Sequence, residues 1–188
     1  MTDRILVRQA TPDDAPSIRA IYAYFVEHTA ITFDYETPTE EDFRASIAKT
    51  LEKYPYLVLL EDGRIRGYAY ARAFVGRAAY SHCAETTIYL EHDARGRGLG
   101  GILYDALEAE LGKRGIRNLY ACIGDPITED ETLTHASERF HHSRGWEKVG
   151  TFHRCGYKFG RWYNMIWMEY MIGDHPEGSE EREERNLT

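Results

Sequence analysis

Arg95, Gly96, Arg97, Gly98, Leu99 and Gly100, with Gly101 directly behind them, bring together the residue types that hold a phosphate. Glycine has no β-carbon, so backbone N–H groups can approach an anion closely. A helix that starts at the same place presents its unsatisfied N–H groups and the positive end of its dipole to the bound anion. Arg95 and Arg97 can add charge-assisted contacts. The implied chemistry is the holding of a pyrophosphate or another anion; a plain tight turn before a helix would use the same glycines. The glycines run Gly96-x-Gly98-x-Gly100-Gly101, and the turn lies mid-chain rather than in the first β-α unit where a dinucleotide fingerprint usually sits. The Gly-Lys-Ser/Thr of a P-loop is absent.

A second group of residues bears on proton transfer. Glu85 stands in an apolar and hydroxyl-bearing stretch, where strand alternation places it on one face with Thr87 and Tyr89 and opposite Ala84 and Ile88. A carboxylate there is costly unless it is solvated or used, and the residues alone leave a surface charge and a base equally open. His141 lies in a short helical stretch, where it reads as a group that titrates near neutral pH or as filler of a polar gap. His82 and Cys83 are adjacent, so on a strand they point to opposite faces and form no nucleophile pair. His141 and His142 have the wrong spacing for two ligands on one helix face. The odd, scattered Cys83, Cys122 and Cys155 suggest neither disulfides nor zinc but buried, reduced thiols. We expect no metal.

These residues need elements to position them. A strand over Ile5–Gln9 precedes a helix capped by Thr11 with Pro12 at its first position. A second helix is capped by Thr39, with Asp42 three residues on. Tyr56–Leu60 and about Ile65–Phe74 read as strands joined by an Asp62-Gly63 hairpin. His82–Leu90 is a strand leading to the glycine turn, and a helix runs from about Gly98 to Lys113 with Leu103, Leu107 and Leu111 as its apolar stripe. A strand at Asn118–Ile123, an acidic loop (Glu129, Asp130, Glu131), a helix at Ser137–Ser143 ending at Gly145, and strands at Trp146–Cys155 and Trp162–Met171 follow. Hairpins mixed with crossovers imply one α+β domain, a mixed, mostly antiparallel sheet flanked by helices.

The chain of 188 residues, 43% hydrophobic, suffices for one such domain. Its charge of −8 argues against nucleic acid as a partner. The acids concentrate beyond the domain: residues 173–188 hold Asp174, Glu177, Glu180, Glu181, Glu183 and Glu184 against Arg182 and Arg185, and read as a disordered tail after a domain of residues 1–172. The sequence offers no membrane span and no apolar run of a signal peptide near its start, which suggests a cytoplasmic protein.

Arg95-x-x-Gly98-x-Gly100 resembles the pyrophosphate-binding motif of the GNAT superfamily of N-acetyltransferases. Phe33-x-x-Glu36-Thr37-Pro38, Tyr54-Pro55-Tyr56-Leu57-Val58, Glu85-Thr86-Thr87-Ile88-Tyr89-Leu90 and Gly156-Tyr157-Lys158-Phe159-Gly160-Arg161-Trp162 are similar to its phosphinothricin and methionine-sulfoximine acetyltransferase branch. The likeness covers about residues 4 to 172; the acidic loop after Gly124 is longer than usual in that branch. The resemblance implies the GNAT fold and acetyl transfer from acetyl-CoA to the amine of a small amino acid-like acceptor by direct attack. It implies Glu85 as the general base, directly or through water, and His141, where many members have tyrosine, as proton donor to the departing thiolate. It implies acetyl-CoA binding by the main chain of Ile88 and Leu90 and by the turn from Arg95 through Gly96, Arg97, Gly98, Leu99 and Gly100 to Gly101. Ser137 and Thr134 would also bind it, although threonine replaces the family's asparagine at Thr134. On the acceptor side Phe33, Tyr35, Arg72, Phe74 and Tyr157 are candidates to line a pocket, with Arg72 or Lys158 pairing a carboxylate or phosphonate. A homodimer is a further implication, and the aromatic strand from Trp162 to Met168 has apolar surface to supply one. A protein or peptide acceptor, and a CoA-binding module without catalysis, are the rival expectations.

Overall fold

The computed structural model describes residues 4–177. Its elements run β1 (Ile5–Gln9), α1 (Ala15–His28), α2 (Glu40–Leu51), β2 (Tyr56–Glu61), β3 (Arg64–Ala73), β4 (Cys83–Leu90), α3 (Leu99–Lys113), β5 (Asn118–Asp125), α4 (Ala136–Ser143), β6 (Glu147–Lys158) and β7 (Arg161–Met171). Thr11 caps a short 3-10 turn, Pro12–Asp14, rather than α1 itself. Thr39 accepts from the Asp42 N–H, as its spacing requires.

The strands form one sheet in the order β1-β2-β3-β4-β5-β7-β6, parallel only between β4 and β5. Strand alternation divides the core between its faces. Tyr56 and Val58 of β2 pack with Ile18, Ile21, Phe25 and Ile47 of α1 and α2. Leu57 and Leu59 pack with Leu103, Leu107 and Leu111 of α3. Each of those α3 leucines is wholly buried, which favours the fold by about 1.5–3 kcal/mol apiece over exposure.

Both two-residue hairpins use left-handed residues, Asp62 and Gly63 between β2 and β3, and Phe159 and Gly160 between β6 and β7. The second is tighter than the sequence suggested, because β6 runs on to Lys158. The acidic loop is folded rather than merely solvated. Asp130 accepts from the N–H groups of Thr132 and Leu133 and from Arg161, and Glu129 accepts from the His135 N–H and from Arg139.

At the far end, Asp174 and His175 bond to Arg117 and Asn118, so the chain stays on the domain for a few residues past 172. The rest of the expected acidic tail lies outside the described residues. The cysteines are free, as expected, but not buried: Cys122 and Cys155 are exposed and Cys83 is half-buried. Among the described residues no helix is long and apolar enough to cross a membrane.

Candidate active site

The site forms where two strands part company. β4 and β5 pair only at Cys83–Asn118, Ala84–Leu119 and Glu85–Tyr120. Beyond Glu85, β4 stays with β3 as far as Leu90–Gly67, while β5 stays with β7 as far as Asp125–Asn164. The wedge between them opens a cleft of about 530 Å³. Glu91 donates its N–H to Arg66 on the β3 side. By strand alternation the backbone groups of Leu90 and Ile88 therefore face away from β3, into the opening. They form a free edge on which an extended, amide-bearing chain can pair.

Glu85 sits at the apex of the wedge and is buried. Sheet register places Arg72 directly opposite it on β3, and the guanidinium donates to the carboxylate at 2.6 Å. Glu85 is thus paired and also lines the cleft. The neighbouring Cys122 thiol, although open to the cleft, is pushed up to about 11 by desolvation among the groups packed around it and by the Glu85 charge, so it is a neutral thiol rather than a nucleophile.

On the α3 side of the wedge a chain of polar groups crosses the core. The Thr86 hydroxyl lies 3.0 Å from that of Tyr104, and Tyr104 lies 2.9 Å from Nε2 of His141. The His141 Nδ1 lies 2.8 Å from the Ser137 carbonyl. A carbonyl only accepts, so Nδ1 carries the proton. Burial lowers the imidazole to about 4, so it is neutral at pH 7, its Nε2 is bare, and Tyr104 donates to it. The imidazole itself has no spare proton. Tyr104 was not singled out in the sequence, where it merges into the apolar stripe of α3.

The glycine turn lies past the end of β4. Gly96 and Gly98 have φ of 74° and 80°, and a β-carbon at either would meet nothing. Hydrogen bonds within α3 begin with Gly101 and Ile102 donating to Gly98, leaving the earlier N–H groups of the first turn without helical acceptors. Gly100 serves another end: a β-carbon there would come within 3.2 Å of the Phe140 ring, so it permits α3 to meet α4. The two arginines are occupied within the protein. Arg97 pairs with Glu61, and Arg95 reaches Nδ1 of His92 and lies over the Phe25 ring. Leu99 is a core residue, so whatever it offers a ligand is main chain.

The remaining candidates divide. Ser137, Ile88, Arg72 and Phe33 line the cleft. Thr134 does not; its hydroxyl accepts from the Ala136 N–H at the start of α4. Phe74 is not a lining residue either, since its ring stacks on Tyr120, with centroids 4.0 Å apart, and meets Trp167 edge-on. Tyr35 bonds through its hydroxyl to the Tyr157 carbonyl, and both rings stand at the surface. Lys158 is buried and donates to the Thr32 carbonyl at 2.9 Å. Within the described residues it is committed to a loop and gives no free partner for a substrate carboxylate.

The chain is similar to known acetyltransferases in both sequence and fold. A family model described as an acetyltransferase (GNAT) domain matches residues 7–167. Phosphinothricin N-acetyltransferase of Alcaligenes faecalis is 36% identical over 164 residues, covering 87% of this chain and 80% of its own. The L-methionine sulfoximine/L-methionine sulfone acetyltransferase of Salmonella typhimurium is 30% identical over 170 residues, covering 90% of this chain and 95% of its own. A solved phosphinothricin acetyltransferase from Sinorhizobium meliloti, in complex with acetyl-CoA, superimposes with a TM-score of 0.82 at 31% identity, covering 96% of this chain and 97% of that one.

Proposed function

The chain belongs to the GNAT acetyltransferase family, and from that premise we propose that it moves the acetyl group of acetyl-CoA to the amine of a small, amino acid-like acceptor of the phosphinothricin or methionine sulfoximine type. The observation that carries the acceptor class is the Arg72–Glu85 pair at the wedge apex. An α-amino acid brings an ammonium and a carboxylate about as close together as this pair holds its own charges. Arg72 can release Glu85 to take the acceptor carboxylate, leaving Glu85 facing the ammonium, so one ion pair is exchanged for two.

Acetyl-CoA would supply an activated thioester, its pyrophosphate held by the backbone of the glycine turn and its pantetheine arm on the open edge of Ile88 and Leu90. Arg95 and Arg97 would have to leave His92 and Glu61 to reach a phosphate. Glu85 would take the proton from the ammonium, directly or through one water, so that the neutral amine attacks the thioester carbonyl and the carbon–sulfur bond breaks. His141, neutral and filled at both nitrogens, fits a positioning role for Tyr104 better than the proton-donor role expected from sequence. A departing thiolate of ordinary basicity can take its proton from water.

The test of the acceptor class is a comparison of free amino acids with their methyl esters and with peptides. Free amino acids should be acetylated at least about tenfold more efficiently than their esters, and Arg72→Gln should abolish the difference. A peptide outperforming every free amino acid would overturn the reading. The apolar edge formed by Val149, Phe152, Phe159 and Trp162, all about half exposed, supports a homodimer covering this hairpin. The free cysteines fit a reducing, cytoplasmic compartment.

A further inference from the structure

On the acceptor side the cleft ends at Phe33, in the loop between α1 and α2. Two glycines make room for its ring. A β-carbon on Gly156 would lie 2.5, 2.6 and 2.8 Å from three atoms of that ring. One on Gly124 would lie 3.7 Å from its Cζ and 3.1 Å from the Ala30 carbonyl oxygen. Neither glycine has a positive φ, so space, not backbone conformation, requires them. Phe33 also packs beside Tyr163, with ring centroids 6.1 Å apart.

The loop that carries Phe33 is tied down on both flanks. Lys158 donates to the Thr32 carbonyl, Tyr35 donates to the Tyr157 carbonyl, and Tyr22 bonds Thr32 and Asp34. Burial lowers the lysine below its ordinary value, and Asp34 opposes that shift.

Strand alternation shows which part of the cleft this is. Ala84 of β4, Ala121 and Ile123 of β5 and Ile166 of β7 belong to the core under α3. Glu85, Cys122, Gly124 and Met165 therefore share the opposite face. A floor of Cys122, Gly124 and Met165 runs from Glu85 to Phe33.

We propose that Phe33, seated over Gly124 and Gly156 and fixed by the Lys158–Thr32 tie, is the end wall that sets the length of acceptor side chain the enzyme takes. This rests on the proposed α-amino acid acceptor. With the amine at Glu85, the side chain has the Cys122–Gly124–Met165 floor to follow and meets the Phe33 ring edge. Removing the ring lengthens the channel. Adding a methyl at residue 156 drives the ring into it, because a contact of 2.5 Å is closer than non-bonded carbon atoms approach.

The experiment uses the full chain with acetyl-CoA and a graded acceptor series: alanine, 2-aminobutyrate, norvaline, norleucine and methionine sulfone. kcat and KM are read separately for wild type, Phe33→Ala, Phe33→Leu and Gly156→Ala. Phe33→Ala should raise the norleucine-to-alanine ratio of kcat/KM at least about tenfold, as a methylene or two gained in an apolar pocket does. Gly156→Ala should lower that ratio, and Phe33→Leu should fall between wild type and Phe33→Ala. KM for acetyl-CoA should stay unchanged in all of them.

If Phe33→Ala and Phe33→Leu scale every acceptor by one common factor, the ring is merely structural and the proposal fails. A Gly156→Ala chain that does not fold leaves the two Phe33 variants to decide. Acetylation of no acceptor by the wild type would instead refute the acceptor class, a result distinct from a flat variant profile.

Discussion

At the level of single residues, Glu85 and His141 play different parts, one as base and the other as support for Tyr104. Glu85→Gln keeps the shape of the wedge but removes the base, so kcat should fall by about 10²–10⁴-fold while acetyl-CoA affinity, measured by calorimetry, is retained. Equal losses in binding and turnover would show that Glu85 is structural. His141 makes a different prediction. The imidazole titrates at about 4 in the fold against 6.5 unperturbed, so between these values the unfolded chain takes up a proton that the folded one refuses. Its contribution is therefore fully present above pH 6.5 and is lost as pH falls towards 4, a loss of about 3 kcal/mol. Denaturant midpoints measured across that range should drop in the wild type and drop less in His141→Gln; parallel curves would contradict the buried neutral imidazole. From its strand alone Glu85 was legible only as a costly carboxylate, surface charge or base, and the family resemblance rather than the local pattern singled it out. Tyr104 was not, because a tyrosine in a helix stripe looks like core until its hydroxyl is seen to find Thr86 and His141.

At the level of elements, the cofactor side depends on main chain. Alternation and turn chemistry were enough to read the strands, the helices and the turn between β4 and α3, because apolar period and glycine placement are local signals. The early separation of β4 from β5 was not legible: it is a register between positions 35 residues apart, such as Glu85 and Tyr120, and no local pattern encodes where pairing stops. Nor was the occupation of Arg95 and Arg97, which depends on partners, His92 and Glu61, whose positions only the fold fixes. Lys158 misled for the same reason, a charged residue whose carbonyl partner lies 126 positions away. Gly98 tests the turn. An alanine there must hold a left-handed conformation at a cost of about 1–2 kcal/mol. Gly98→Ala should weaken acetyl-CoA binding at least about tenfold by calorimetry. Unchanged affinity would mean that the turn only connects β4 to α3.

At the level of the whole molecule, α1 and α2 cover one face of the sheet and α3 the other, so the opening between β4 and β5 gives a passage from the glycine turn to the acceptor side. The hairpin of β6 and β7 both braces the Phe33 loop and leaves an apolar surface outside it. If two copies cover that surface, light scattering should give a dimer mass for the wild type and a monomer mass for Trp162→Glu; a monomeric wild type would remove the dimer. Acetyl transfer frees the thiol of CoA, so thiol release reads the reaction itself. Purified protein is mixed with acetyl-CoA and a panel including phosphinothricin, methionine sulfoximine and methionine sulfone, and free CoA thiol is followed with time. If the chain transfers acetyl groups, release should depend on a free amino acid, saturate with it and collapse in Glu85→Gln. Release that ignores the acceptor, or none with any amine, would contradict it.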